Sequence, residues 1–367
     1  MVYLHRSHHA QDKRRAIQEG IMKAIVKYQI GDGFIGLRDV PEPEPGEGEV
    51  KIAVQAAGIC GSDLHIWHGD IEIPVKPPVT LGHEFAGVVT ALGPSVTGLK
   101  VGQRVTAENS HSVCGRCEYC MTGDYNLCEE RLATGYAYDG AFASYCVVPA
   151  KRVHVLPDTV DFLTGALSDP SACTYRAVCE KGAVGPGDTV LILGVGPMGL
   201  FSTQYAKLSG GKVILAGTAA DAARLEIGRD LGADCIVDVT QPDAVDNVKK
   251  FAGRSGIDVV LECSGAPDAA RLGLQLIKKR GRFVLVGIYG RPFELDFDQI
   301  LYKELVVKGM FSHKYEAWEK AISLAAQGLI KAKPLITDIL PLSEWEKGFR
   351  RFAERKALKV IFEPQRA

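Results

Sequence analysis

The chain has no uncharged apolar run of the roughly 18 residues that a membrane-crossing helix needs. It also lacks a charge imbalance, with 43 Lys and Arg against 44 Asp and Glu. Without a surplus of either sign there is no sequence-wide field for nucleic acid or anionic lipid, so neither is expected as a partner. There is no internal repeat of fixed period and no low-complexity tract. Ten cysteines in 367 residues are too few for a disulfide scaffold. Residues 1–21 hold histidines and basic residues but not the apolar stretch of a secretory signal. They read as an N-terminal extension, and a cytoplasmic location is expected. A content of 46% hydrophobic and 24% charged residues excludes a disordered chain. The length fits about two domains.

What is present begins with glycine. Forty glycines imply many tight turns and close backbone approaches, as in an α/β enzyme. From Met22 to about residue 155, short apolar runs (KAIVKY, VKIAVQAAGI, EFAGVVTAL, QRVTA, ASYCVVP) alternate with Gly, Pro and Asp turns. That pattern predicts an antiparallel, barrel-like domain. The texture changes near residue 175. TVLIL, KVILA, CIVDV, DVVLE, RFVLVG and LVVKG are buried strands, separated by helical stretches such as DAARLEIGRDLG and DAARLGLQLIKK. Six strands alternating with helices predict a doubly wound parallel sheet. After Gly309 two helical segments follow, and KVIFEP closes the chain as a strand returning to the first domain.

Four cysteines, Cys114, Cys117, Cys120 and Cys128, lie in a C-x2-C-x2-C-x7-C run. Two-residue spacers let one tight turn aim two sulfurs at a point, and four thiolates close a tetrahedral zinc site with no open position. An Fe–S cluster is the weaker rival, because no Cys-Pro follows. Cys60 in GICGSDLH, His83 and Glu84 in LGHE, and Asp169 in LSDP offer a second, mixed S, N and O donor set. Such a set with a free position is what catalytic zinc uses, although each residue alone reads equally as packing. Gly194, Gly196 and Gly199 form GVGPMG between the strand TVLIL and a helical stretch. In that context the turn binds a dinucleotide pyrophosphate at the helix N-terminus. The next strand ends at Ala216-Gly217-Thr218 without an acid, and Arg224 follows. This tilts the expectation toward NADP over NAD, with Asp221 on a longer loop as the residue that would instead reach a ribose.

These pieces together resemble the zinc-containing medium-chain dehydrogenase/reductase family, most of all its polyol (sorbitol-type) and secondary-alcohol branch, with threonine 3-dehydrogenases nearby. The resemblance runs from Met22 to Pro364 and is carried by GICGSDLHIWHG, LGHEFAGVV, the four-cysteine run, DGAFASYCVVP, GVGPMG and KGMFSH. It implies an α/β chain with a GroES-like catalytic domain (22–175 and 310–367) around a Rossmann domain (176–309). It implies two zinc ions per chain and NAD or NADP. Cys60, His83 and Glu84 match catalytic metal positions. The remaining position is Asp169, one methylene shorter than the Glu of polyol enzymes, binding directly or through water. Cys173, one turn later, reads as core. Ser62 matches the hydroxyl that takes the alcohol proton, and His65 the residue that passes it outward. Pro197, Met198, Thr218, Arg224, Val286, Gly287 and Ile288 match the cofactor site, with Phe311, Ser312 and His313 near its nicotinamide end. The implied reaction is hydride transfer between an alcohol, polyol or ketone and NAD(P), in a homotetramer or homodimer. Threonine oxidation is the alternative within this class, and a non-catalytic zinc-lobe binding protein the alternative outside it.

Overall fold

The computed structural model describes residues 20–366. The proposed N-terminal extension therefore lies almost wholly outside the described residues. In chain order, β1 (Ile21–Lys27), β2 (Ile35–Pro41) and β3 (Glu49–Gly58) lead into α1 (Gly61–His68). β4 (Val79–Thr80), β5 (Glu84–Leu92) and β6 (Arg104–Ala107) follow, then a loop carrying the short α2 (Glu118–Met121). β7 (Tyr145–Pro149) and β8 (Val153–Val155) precede α3 (Phe162–Ala166) and α4 (Ser168–Tyr175), which continues as a π-helical turn, Arg176–Lys181. Strands and helices then alternate: β9 (Thr189–Leu193), α5 (Pro197–Leu208), β10 (Lys212–Gly217), α6 (Ala222–Asp230), β11 (Cys235–Asp238), α7 (Ala244–Ala252), β12 (Ile257–Glu262), α8 (Pro267–Leu276), β13 (Ile277–Leu285), α9 (Asp298–Tyr302) and β14 (Val306–Gly309). The chain closes with α10 (Tyr315–Ala326), β15 (Asp338–Leu340), α11 (Trp345–Ala353) and β16 (Val360–Phe362).

β9 to β14 form one six-stranded parallel sheet in the order β11-β10-β9-β12-β13-β14. That is the doubly wound order of dinucleotide-binding folds. Successive residues of its central strands enter two separate cores. Val190, Ile192, Val213 and Leu215 belong to one cluster, and Leu191, Leu193, Ile214 and Ala216 to the other. Burial on both faces explains why these strands are apolar runs without alternation.

The other large sheet has β3 and β5 at its centre, with β6, β8, β16, β15 and β7 around them. Apart from the parallel pair β15 and β16, its strands pair antiparallel. β16 does return to the first domain, where Ile361 pairs with Gly58. Ala56, Ala86 and Ile361 of this sheet share a cluster with Val190 and Trp318, so one core runs continuously between the two parts.

One boundary differs from the sequence reading. The helical pattern DAARLGLQLIKK extends past residue 276, but α8 stops at Leu276 and β13 starts at Ile277. Ile277 adopts extended backbone (φ −63°, ψ 136°) and pairs with Ile257. A β-branched residue gains more from that buried pairing than from another half-turn of helix. No helix among the described residues is long and apolar enough to cross a membrane.

Candidate active site and metal centres

Strand pairing builds the first donor cluster. Gly58 at the end of β3 sits opposite Glu84 at the start of β5, so Cys60, two residues on, faces the His83–Glu84 corner. A Cβ on Gly58 would lie 2.7 Å from Glu84 Oε2, so glycine here leaves the carboxylate its position. Cys60 caps α1 with extended backbone (φ −97°, ψ 158°), and its N–H donates to Asp63 Oδ2 at 2.8 Å. The other Asp63 oxygen stands 3.6 Å from His83 Nδ1. A carboxylate behind one ring nitrogen aims the other forward, and His83 Nε2 lies 3.5 Å from Ser62 Oγ. The donor atoms of Cys60, His83 and Glu84 all lie within 4.8 Å of one another.

Asp169 belongs to an adjoining group. Its carboxylate, Cys173 Sγ and a His313 ring nitrogen form a second set within 4.8 Å of one another. His313 Nε2 is 2.8 Å from Asp169 Oδ2, and His313 is fully buried. The resemblance places His313 at the nicotinamide end of the cofactor, whereas its Nε2 is engaged by the Asp169 carboxylate. Burial alone would raise the Asp169 carboxyl, but the charge and hydrogen bond of His313 hold it below its ordinary value. Burial, then the Asp169 charge, pushes the Cys173 thiol well up.

The charge around the cluster fits a divalent cation. Three acids, Asp63, Glu84 and Asp169, are at most 5% exposed, and the buried ammonium among them is Lys359. Lys359 pairs with Glu84 and donates to Ile59 O at 2.7 Å. Burial drives the Glu84 carboxyl above its ordinary value even so. Burial would lower His83, but Tyr136 and Asp63 carry it well above its usual value. His83 Nδ1 and Asp63 Oδ1 are buried without a hydrogen-bond partner. A pocket of thiol, imidazole and surplus carboxylate is short of positive charge, which zinc supplies.

Two predicted proton-handling residues flank this cluster. Ser62 is 8% exposed, and its Oγ accepts from Tyr136 Oη at 2.8 Å. His65 is half-buried; its Nδ1 lies 3.0 Å from Asp70 Oδ1, and a Cβ on Gly290 would come within 3.8 Å of its Cε1. The imidazole thus stands between solvent and the loop after β13.

The four lobe cysteines also converge, all donor atoms within 4.8 Å of one another. Backbone N–H groups of Arg116 and Cys117 hold Cys114 down at about 6, so one thiolate is prepared near neutral pH. All ten cysteines are free of disulfides. The lobe grips the segment after β14. Asn126 Nδ2 donates to Phe311 O (2.8 Å), the Tyr315 N–H donates to Tyr125 Oη (2.6 Å), and Lys314 Nζ donates to Asp124 Oδ1 (3.2 Å). Arg131 Nη2 reaches Ser312 Oγ at 3.4 Å, and Arg176 Nη1 donates to the carbonyls of Phe311 (3.0 Å) and Ser312 (2.8 Å).

Glu108 pins the junction of barrel, lobe and α10. It is fully buried, accepts from Tyr125 Oη at 2.6 Å, and lies 3.3 Å from His154 Nε2 and 3.7 Å from Arg152. His154 Nδ1 continues the chain to Glu319 at 2.6 Å. Burial would raise the Glu108 carboxyl, but His154, His313, Tyr125 and Arg152 hold it below its ordinary 4.5. A depressed carboxylate stabilises the fold above its unfolded value, and that contribution is lost as pH falls through its folded one. The wild-type melting temperature should therefore drop steeply below about pH 4.5. Glu108→Gln should cost about 3 kcal/mol at pH 7 and flatten that acid slope. Melting curves from pH 7 to 3.5 test this; parallel slopes for the two proteins would refute the assignment.

The glycine turn opens a cavity of about 550 Å³ at the carboxyl ends of β9, β10 and β12. Gly194 has φ +109°, and a Cβ on Gly199 would lie 1.9 Å from Gly194 O. A Cβ on Gly196 would meet nothing within 4 Å, which leaves open space over the N-terminus of α5 for a pyrophosphate. Gly194, Gly196, Thr218 and Arg224 line the cavity. Pro197, Met198 and Gly199 form the first turn of α5, and Val286, Gly287 and Ile288 follow β13, outside the cavity wall. Phe311 and Ser312 lie in the segment that the lobe grips. The Asp221 carboxylate folds back onto its own turn, accepting from Thr218 N (3.1 Å) and Oγ1 (2.7 Å).

Sequence reasoning gave no role to Asp63, Tyr136, Lys359, Asn126 or Arg131. A signal existed for Asp63 alone, an acid three residues after a helix cap.

Residues 46–158 match the alcohol dehydrogenase GroES-like domain, and residues 197–327 match the zinc-binding dehydrogenase model. A sorbitol dehydrogenase of Halalkalibacterium halodurans is 42% identical over 94% of this chain and 99% of its own length. A D-arabitol-phosphate dehydrogenase of Enterococcus avium is 38% identical over 93% of this chain and 97% of its own. Among solved structures, a zinc-binding dehydrogenase from Sinorhizobium meliloti bound to NADP superposes with a TM-score of 0.86 at 35% identity, covering 94% of this chain and 99% of that one. A purely non-catalytic zinc-lobe protein is not favoured by these relatives.

Proposed function

This chain belongs to the zinc-containing medium-chain alcohol dehydrogenase family, and we propose that its catalytic metal is held by Cys60, His83 and Glu84, with Asp169 beside them. It is a zinc-dependent alcohol or polyol dehydrogenase that uses NAD(P). The observation that carries the reading is the convergence of buried thiol, imidazole and carboxylate donors on the barrel sheet of a chain whose doubly wound sheet opens a dinucleotide-sized cavity. The division into a catalytic part (22–175 with 310–367) and a nucleotide-binding part (176–309) follows from the same reading.

When bound, zinc supplies Lewis acidity toward an alcohol oxygen and the nicotinamide supplies the hydride acceptor. Ser62 Oγ takes the substrate proton as its own hydroxyl hydrogen passes on toward His65, its orientation set by the hydrogen that Tyr136 Oη donates to it. His65 passes the proton to solvent, held by Asp70 at Nδ1 and half-exposed beside the Gly290 loop. Asp63 keeps His83 Nε2 aimed forward, and Lys359 holds Glu84. The GVGPMG turn seats the pyrophosphate. An adenosine end with no free acid, since Asp221 is turned onto Thr218, favours NADP, the cofactor found in the Sinorhizobium structure.

The substrate is a secondary alcohol or polyol, in line with the sorbitol and arabitol-phosphate relatives. β14 is one of the two edges of the parallel sheet, with Val306 and Val307 exposed by 47% and 38% and Leu301 and Tyr302 beside them. An apolar open edge pairs with a second copy, giving a homodimer or, by further contacts, a homotetramer. A reducing cytoplasm keeps the lobe thiols available for metal. The test is a panel of polyols, polyol phosphates, diols and threonine, run with NAD and NADP in parallel and read at 340 nm. Turnover of a polyol or secondary alcohol by protein carrying two zincs is expected; a fully metallated chain inert across the panel would overturn the reading.

A further inference from the structure

The far end of the dinucleotide cavity is closed by a residue from outside the parallel sheet. Arg355 follows α11, which packs on β15 and β16 of the barrel sheet, yet it lines the cavity together with Thr218, Asp221 and Arg224. Three independent features set it apart. First, its φ is +57°, the left-handed conformation that helix ends ordinarily give to glycine. Second, every other charged side chain from Glu344 to Lys356 has an ion-pair partner among the described residues. Glu344 pairs with Lys347, Glu346 with Arg350, Asp338 with Arg351, and Glu354 with Lys356. Arg355 has none.

Third, Arg224 is built onto it. Arg224 Nη2 donates to the carbonyls of Arg355 (2.8 Å) and Ala357 (2.9 Å), which holds two guanidinium-bearing residues side by side. Burial leaves Arg224 below its ordinary value, with the Asp221 charge opposing that shift and the Arg355 charge adding to it. Neither of the cavity's acids pairs with Arg355. Asp221 bonds its own turn, and its Oδ1 is 3.9 Å from Arg224, while Asp268 pairs with Arg271 at 2.8 Å.

We propose that Arg355 binds the 2′-phosphate of NADP from across the interdomain cleft, with Arg224 as the anchor that positions it, and so decides NADP over NAD. An unpaired cation beside a second one, facing a cavity of nucleotide size, is the complement of a phosphate monoester. Because the two arginines sit on different parts of the molecule, the phosphate also ties the α11 end to the nucleotide-binding sheet. This inference rests on the NADP reading of the cofactor site.

The test uses the full, zinc-loaded chain and two probes that differ in one group, 2′,5′-ADP and 5′-AMP, titrated by calorimetry. The wild type should bind 2′,5′-ADP the more tightly. Arg355→Gly suits a left-handed backbone, so its melting temperature should match or exceed the wild type's. It should weaken 2′,5′-ADP about ten- to fiftyfold and leave 5′-AMP within about twofold. Arg355→Lys should recover part of the loss. Amide exchange over residues 353–357 should slow with 2′,5′-ADP and not with 5′-AMP. A wild type that binds both probes alike would defeat the NADP reading and this inference with it. A wild type that prefers 2′,5′-ADP, with a glycine variant that keeps the preference or weakens both probes equally, would defeat the Arg355 assignment alone.

Discussion

Cys60→Ser should lose alcohol oxidation by at least about a thousandfold while keeping one of two zinc equivalents and a cooperative unfolding transition. The effect is local. A serine hydroxyl does not ionise near neutral pH and is a poor zinc ligand, so the S, N and O set loses its thiolate, one of its two anionic donors. The scaffold loses little. The backbone N–H of residue 60, not its side chain, reaches Asp63 Oδ2, so the turn into α1 and the carboxylate behind His83 remain in place. A stability change of no more than about 1 kcal/mol is expected. Metal analysis, the rate at 340 nm and a melting curve on one preparation decide it. Activity within tenfold of wild type, or loss of both zincs, would remove Cys60 from the catalytic set.

The elements that the sequence disclosed are those with one dominant local cause. TVLIL and KVILA announce themselves because both faces of β9 and β10 are buried, and GVGPMG because Gly199 meets Gly194 O at a distance no side chain tolerates. The lobe cysteines are legible because fifteen residues hold the whole donor set. The catalytic donors are legible as types but not as a shape. His313 reaches Asp169 across 144 positions and Lys359 reaches Ile59 across 300, and neither pairing leaves a local pattern. Arg355 is hidden for another reason. In sequence it is one more charge at the end of a polar helix, and only the pairing of all its neighbours isolates it. Helix-to-strand conversion at Ile277 was obscured because its partner, Ile257, lies before α8 rather than beside it.

The second large effect is expected from the lobe, at a distance from the chemistry. Cys114→Ser should release the lobe zinc, lower the melting temperature by roughly 5–10 °C, and also reduce kcat/KM at least about tenfold with the catalytic zinc retained. The stability loss follows from four thiols left without their common ion. The activity loss follows from what the lobe holds. Asp124, Tyr125, Asn126 and Arg131 contact Lys314, the Tyr315 N–H, Phe311 O and Ser312 Oγ, and between these contacts sits His313, bonded to Asp169 beside the catalytic donors. Ser312 has φ +58°, a conformation that a free serine leaves readily, so the segment keeps its shape only while its partners hold it. Asn126→Ala isolates the coupling, because it removes the bond to Phe311 O and touches no thiol. It should keep both zincs and lose kcat/KM severalfold, with the smaller change in melting temperature. If Cys114→Ser sheds one zinc and loses stability while kcat/KM is unchanged, the lobe does not position His313, and the hydrogen bonds between residues 124–131 and 311–315 serve stability alone.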